Sequence, residues 1–250
     1  MIEIKNLIKS FGENAVVNNV STTFVKGKTN LIIGQSGSGK TILLKCLLGL
    51  HIPDSGEIIY DGVSNKQMNN NNKTLLRREM GMVFQGSALF DSMTVLENVM
   101  FPLTMLSDKN DEEIRQKAEI AIQRVELEKA YEKLPSELSG GMQKRVAIAR
   151  AIVMNPKYLF CDEPNSGLDP RTSIIIDNLI QEITKEFNMT TIINSHDMNS
   201  VMEIGEKILF LVNGEKNWEG TNKEIFKTTN QSITDFVYSS ELLKKVRKFL

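Results

Sequence analysis

TNLIIGQSGSGKTILLKCLLGL, residues 29–50, changes character halfway along. "TNLII" is a short apolar run with β-branched residues, and "TILLKCLLGL" carries leucines at helical spacing. Between them lie three glycines and a lysine, so the stretch predicts a strand, a loop and a helix. The loop satisfies Gly-x-x-x-x-Gly-Lys-[Ser/Thr] in the structural context that gives the motif meaning. Its residues are Gly34, Gln35, Ser36, Gly37, Ser38, Gly39, Lys40 and Thr41. Glycines let successive backbone N–H groups converge on an anion, and the helix N-terminus adds partial positive charge there. The expected occupant is a nucleotide's phosphate chain, with Lys40 reaching the β- and γ-phosphates and Thr41 offering its hydroxyl to Mg2+.

Outward from this unit the pattern alternates. "MIEIKNLIKSF", "AVVNNVSTTF" and "SGEIIYDG" mix alternation with turn residues and predict a partly antiparallel start. The asparagine tract Asn69 to Asn72 has the composition of a solvated loop. A helix is expected from about Asp111 to Lys133, with Ile114, Ala118, Ala121 and Val125 on one face. "KYLFCDEP", a helix near Thr172 to Phe187, and "TTIINSHD" then alternate apolar run with helix, the pattern of a buried parallel sheet. Asn213-Gly214 in "KILFLVNGEKNWEG" signals a hairpin. The fold class is therefore α/β: a P-loop NTPase with a mostly parallel core sheet, an N-terminal antiparallel β subdomain and an inserted α-helical subdomain at about 86–155. Residues 223–250 read as a helical extension ending in the basic "LLKKVRKFL".

Composition narrows the function classes. The 250 residues can bury a substantial core without disulfides, and 30 Lys and Arg against 31 Asp and Glu give a formal charge of −1. No global field draws this chain to nucleic acid, and no basic stripe outside the short tail suits it, so no nucleic-acid partner is expected. Cys46 and Cys161 sit among apolar neighbours without metal-ligand spacing and read as core residues of a reducing compartment. No 18-residue apolar run and no leader pattern occurs, so a cytosolic chain that does not span a membrane is expected.

"YLFCDEP" delivers two acids to the end of a buried strand. Alone such a pair fits a helix cap equally well. Beside a phosphate loop, Asp162 suits the metal's water shell, and Glu163 suits the orientation and deprotonation of a water for in-line attack on the γ-phosphate. His196 ends the "NSHD" run, where it fits either a structural role or a γ-phosphate contact that distinguishes ATP from ADP. In "SELSGGMQKR", Ser139 suits an N-cap, and Gly140 and Gly141 leave backbone N–H groups uncovered. That is an ordinary capped helix or a second anion site, one that could close over the nucleotide of another chain.

Taken in order, "GQSGSGKT", "FQ" with Gln85, "LSGGM", "YLFCDEP", "SGLD" and "NSHD" resemble the ATP-binding subunit of an ABC transporter across about residues 2 to 222. "LSGGM" replaces the commoner serine-glycine-glycine-glutamine, and Gln143 follows one position late. The resemblance implies a homodimer sandwiching two ATP molecules, each held by one copy's phosphate loop and the other's "LSGG" helix. It implies that Phe11 stacks on adenine, a position a core phenylalanine fits as well. It implies that Gln85 contacts Mg2+ or the attacking water and couples the site to the helical subdomain, and that Asp169 communicates across the dimer. It also implies an integral-membrane permease docking on the Gln85 to Leu103 region, on the cytoplasmic face of the inner membrane. "ALFDSMTVLENV", "LSGGMQKRVAIARAI" and "WEGT" (218–221) are similar to the Mla and Mce type of phospholipid-trafficking ATPase, which adds a periplasmic MCE-type lipid-binding partner. ATPases of amino-acid and lipoprotein transporters share similar wording around "TVLENV".

Overall fold

The computed structural model describes residues 1–238. In chain order the elements are β1 (Ile2–Phe11), β2 (Asn14–Phe24), β3 (Thr29–Ile33), α1 (Lys40–Leu47), β4 (Ser55–Tyr60), β5 (Val63–Ser64), α2 (Asn70–Arg78), β6 (Met80–Val83) and α3 (Val95–Leu106). There follow α4 (Asp111–Arg124), α5 (Gly140–Ile152), β7 (Tyr158–Asp162), α6 (Pro170–Glu186), β8 (Thr190–Asn194), α7 (Met198–Ile204), β9 (Lys207–Val212), β10 (Glu215–Gly220) and α8 (Gln231–Val237). They fall into two compact units. One holds Met1–Val25, Thr29–Gln67 and the described residues from Asn194 onward; the other holds Lys26–Lys28 and Met68–Ile193. The basic "LLKKVRKFL" lies outside the described residues.

In the first unit, alternation drives the sheet β2-β1-β4-β5, all of whose pairings are antiparallel, as expected. Ile2 faces Phe24 on one side and Tyr60 on the other, and Ile2, Ile4, Leu7, Val17, Val20 and Phe24 are buried. Each such side chain contributes about 1.5–3 kcal/mol on leaving water. β3, buried at all five positions, runs parallel to β9 from Asn30 opposite Lys207 to Ile33 opposite Phe210. β9 and β10 form the expected hairpin, and Asn213 (φ 50°) and Gly214 (φ 81°) both take the left-handed backbone that a tight hairpin turn requires. The described part of the C-terminal extension folds back on this unit: α8 buries Ile233 and Val237 and sets the Phe236 ring 5.1 Å from Phe210.

In the second unit β8, β7 and β6 lie in that order, with β6 and β7 parallel from Met80 opposite Tyr158 to Val83 opposite Cys161. α5 packs on β6 so closely that a Cβ on Gly81 would stand 2.3 Å from the Ala151 carbonyl oxygen. α3 and α4 pack against α5 and against each other. Both open with capping boxes, Thr94 with Glu97 and Asn110 with Glu113. Ile114, Ala118 and Ala121 are buried as their spacing predicts.

Two expectations are corrected. The helix expected to run to Lys133 stops at Arg124, because Glu126 takes a left-handed φ of 58°, which a helix cannot carry; only a 3-10 turn follows, at Glu128–Ala130. The asparagine tract is not a loop. Asn69 caps α2 by accepting from the Asn72 N–H at 2.9 Å, and the tract itself forms the first turn. No residue of α2 is buried, so no buried apolar stripe marks the helix.

Candidate nucleotide site

In the first unit the chain leaves β3 at Gly34 and must turn at once. Gly34, Gly37 and Gly39 all have positive φ, and the space around two of them is closed. A Cβ on Gly34 would meet the Leu211 carbonyl oxygen at 2.4 Å, and one on Gly39 would meet the Val16 carbonyl oxygen at 2.4 Å. Only glycine fits both the dihedrals and the neighbours. Lys40 opens α1, is buried, and donates from Nζ to the carbonyls of Gly34 (2.9 Å) and Gln35 (3.0 Å). No acidic residue occupies the first turn of α1, so its partial positive charge stands uncompensated within the helix. The Ser38 hydroxyl is buried and finds no hydrogen-bond partner among the described residues. Gln35, Ser36, Gly37 and Thr41 are exposed. The hairpin tip braces the loop, with Gly214 N–H donating to the Ser38 carbonyl (3.2 Å) and Asn18 N–H to the Gly214 carbonyl (2.8 Å).

His196, also exposed, follows Ser195, whose N–H donates to the Ile32 carbonyl at 3.1 Å. That bond ties the histidine's segment to β3 two residues before the phosphate loop. Phe11 ends β1 and is 46% exposed, so it is not a core residue. Its ring meets His51 edge to face at 5.4 Å, with the Lys9 ammonium 5.4 Å from its centre.

In the second unit β7 ends at Asp162, and Glu163 follows with a left-handed φ of 46°. That conformation costs a non-glycine residue about 1–3 kcal/mol and is typical of functional turns. The Gln85 amide reaches it, donating from Nε2 to Glu163 Oε2 (3.1 Å) and to Ser166 Oγ (3.1 Å). Ser166 opens the "SGLD" stretch, in which the sequence reading gave a role to Asp169 alone; only the fold brings it to Gln85, 81 residues away. Lys144 of α5 was likewise missed. It is buried, burial holds its ammonium below the ordinary lysine range, and it donates to the Gln85 carbonyl oxygen.

The Ser139 stretch forms a capped helix start, the Ser139 hydroxyl accepting from Met142 N–H at 3.3 Å. No acid occupies this first turn either, and Ser139 and Gly140 are exposed. α6 begins beside it: a Cβ on Gly141 would lie 2.7 Å from the Thr172 methyl. Asp169 caps α6, accepting from Arg171 N–H (3.0 Å), Thr172 N–H (3.1 Å) and the Thr172 hydroxyl, and these bonds hold its carboxyl below the usual range. Of the predicted residues, the structure thus joins Gln85 to Glu163 and Lys40 to Gly34 and Gln35. Burial raises the thiol of Cys46 to about 11 and pushes Cys161 up as well, which agrees with their reading as core residues.

A glycine loop after a parallel strand, opening a helix through a buried lysine, defines a P-loop NTPase. A family model described as ABC transporter matches residues 17–166. The methionine import ATP-binding protein MetN of Clostridium tetani is 39% identical over 97% of this chain and 76% of its own length. The intermembrane phospholipid transport system ATP-binding protein MlaF of Haemophilus influenzae is 35% identical over 95% of this chain and 90% of its own. Among solved structures, a dimeric post-hydrolysis state of the ATP-binding cassette MJ0796 bound to ADP and Pi is similar, with a TM-score of 0.79 and 34% identity. It covers 89% of this chain and 99% of that one. The chain belongs to the ABC transporter family, as the ATP-binding and ATP-hydrolysing subunit of a transporter.

Proposed function

We propose that Gly34 to Thr41 and His196 serve the phosphates of the same ATP whose hydrolysis Glu163 and Gln85 promote, and that Phe11 stacks on its adenine. The observation that carries the catalytic part is the Gln85 amide on the Glu163 carboxylate at 3.1 Å. A strained acid held by a positioned amide suits the orientation and deprotonation of an attacking water. Thr41, Gln85 and Asp162 supply hard oxygen donors fit for Mg2+, which would neutralise charge on the phosphates. Among the described residues no cluster of three or more His, Cys, Asp or Glu could hold a metal.

Two copies then complete each site, with Ser139, Gly140 and Gly141 of one approaching the ATP held by the other and Asp169 lying beside that contact. The exposed, acid-free start of α5 supports this, as does the dimeric cassette among the similar structures. For the permease, the second unit offers a groove of about 270 Å3 lined by Phe84, Phe90, Phe101, Pro102 and Met154 together with Arg77, Arg78 and Arg150. It overlaps the Gln85 to Leu103 region and suits the apolar face of a short helix. Among the described residues no helix is long and apolar enough to cross a membrane. The proposed attachment to the cytoplasmic face of the inner membrane runs through that permease.

The cargo we propose is phospholipid, with an MCE-type lipid-binding protein on the far side. "ALFDSMTVLENV" and "WEGT", together with the match to MlaF over 90% of that protein's length, support it. Amino-acid import is a second reading, favoured by the 39% identity to MetN. Affinity purification of the tagged chain from its native membrane separates them. A polytopic permease with an MCE-type protein is the expected result, and a permease with an amino-acid-binding protein instead would overturn the lipid reading.

A further inference from the structure

Lys144 is 4% exposed, and a buried ammonium is costly unless its donors are used. Its partner is the carbonyl oxygen of Gln85, 59 residues earlier. The same helix grips this loop further along, where Arg150 donates to the carbonyls of Ser87 (2.8 Å) and Ala88 (2.7 Å). Ser87 and Ala88 both have left-handed backbones, φ 63° and 47°, so the loop is bent sharply where α5 holds it. Two cations of α5 therefore anchor three carbonyls between Gln85 and Ala88, while the Gln85 side chain bonds to Glu163 and Ser166. The helix that supplies them begins at Ser139.

We propose that Lys144 is a positioning residue for ATP hydrolysis, linking α5 to the Gln85–Glu163 pair and fixing where the Gln85 amide meets the Glu163 carboxylate. Arg150 acts on the rim of the loop; Lys144 holds the one backbone carbonyl that belongs to Gln85 itself. A shift of the Ser139 end of α5 is thereby carried to the acid through one salt-strength hydrogen bond and one amide. A methyl-terminated chain of the same length would fill the space as well and bury less charge, so packing alone does not call for lysine here. The proposal rests on Gln85 and Glu163 acting on the attacking water.

The test compares Lys144→Met, Lys144→Arg, Gln85→Ala, the Lys144→Met/Gln85→Ala double variant and Glu163→Gln in the full-length chain, reading kcat, KM and nucleotide Kd with Mg-ATP. Lys144→Met is expected to lower kcat about 10-fold to 100-fold, the scale of a misplaced catalytic group, with Kd unchanged. Lys144→Arg is expected to restore most of the rate. In the Gln85→Ala background Lys144→Met is expected to do nothing further, because the group it positions is gone. Equal losses in both backgrounds, or a Lys144→Met enzyme as fast as the parent, would overturn the proposal. Should Lys144→Met not fold, Lys144→Gln carries the same comparison. Glu163→Gln separates the two levels: normal turnover there sinks the assignment of the acid, whereas an inactive Glu163→Gln beside an intact Lys144→Met sinks only the role of Lys144.

Discussion

Gln85 Nε2 and Glu163 Oε2 stand 3.1 Å apart, joining the end of one parallel strand to the end of its neighbour. The bond orients the Glu163 carboxyl group, and the amide that makes it donates a hydrogen bond without bringing a charge of its own. The left-handed backbone at Glu163 points the same way, because a turn that only had to connect β7 to α6 would take glycine there at no cost.

Glu163→Gln is expected to bind ATP as the parent does and to hydrolyse it about 100-fold to 10,000-fold more slowly, the range for loss of a general base. Steady-state turnover and equilibrium nucleotide binding on the same preparation check this. A variant with ordinary turnover removes Glu163 from the chemistry.

Ser139→Arg places a long cation on an exposed helix start. The monomer should fold and bind nucleotide, because Ser139 contributes one capping bond and the phosphate loop is untouched. Dimer formation with ATP should disappear. Sedimentation of the Glu163→Gln and Glu163→Gln/Ser139→Arg proteins with ATP reads it, and an unchanged dimer fraction contradicts the shared site.

Gly81→Ala drives a methyl against the Ala151 carbonyl, 2.3 Å away on a helix that cannot yield cheaply. Overpacking of this kind costs about 1–3 kcal/mol. The urea midpoint should fall with the slope unchanged; a midpoint equal to the parent's would show that β6 and α5 are less tightly opposed than they stand here.

Asp169→Ala removes three hydrogen bonds from the start of α6. The folded carboxyl titrates below its unfolded value, so its contribution is present above the unfolded pKa and is lost as pH falls through the folded one. The parent should melt above the variant at neutral pH, and the two curves should converge once the pH drops below the ordinary carboxylate range near about 4. A gap that persists undiminished in acid means the loss is one of packing rather than charge.

The phosphate loop, the β9–β10 hairpin and the N-terminal sheet were legible because each is written locally: glycines at fixed offsets, Asn213-Gly214, alternating Ile2 and Ile4. α2 escaped notice because Leu75 and the basic residues around it are solvent-exposed and show no buried stripe. The stop at Arg124 depends on one residue's φ, at Glu126, a position where helix propensity alone favours continuing. Within the site, Glu163 and Gln85 stood out by motif. Ser166, Lys144 and Arg150 lie inside motifs too, but their contacts are not written there, since their partners lie 81, 59 and 62 or 63 residues away and only tertiary packing creates the contact. Phe11 fitted a core or a surface equally well until the fold left it in solvent.

The hairpin tip at Gly214 touches the loop that begins at Gly34. A ribosome adding roughly 5–20 residues per second exposes the nucleotide motif many seconds before the turn that braces it leaves the exit tunnel. Nascent chains should therefore gain their grip on ATP late, and a message truncated ahead of residue 213 would yield a product with an intact motif and no tip to shape it.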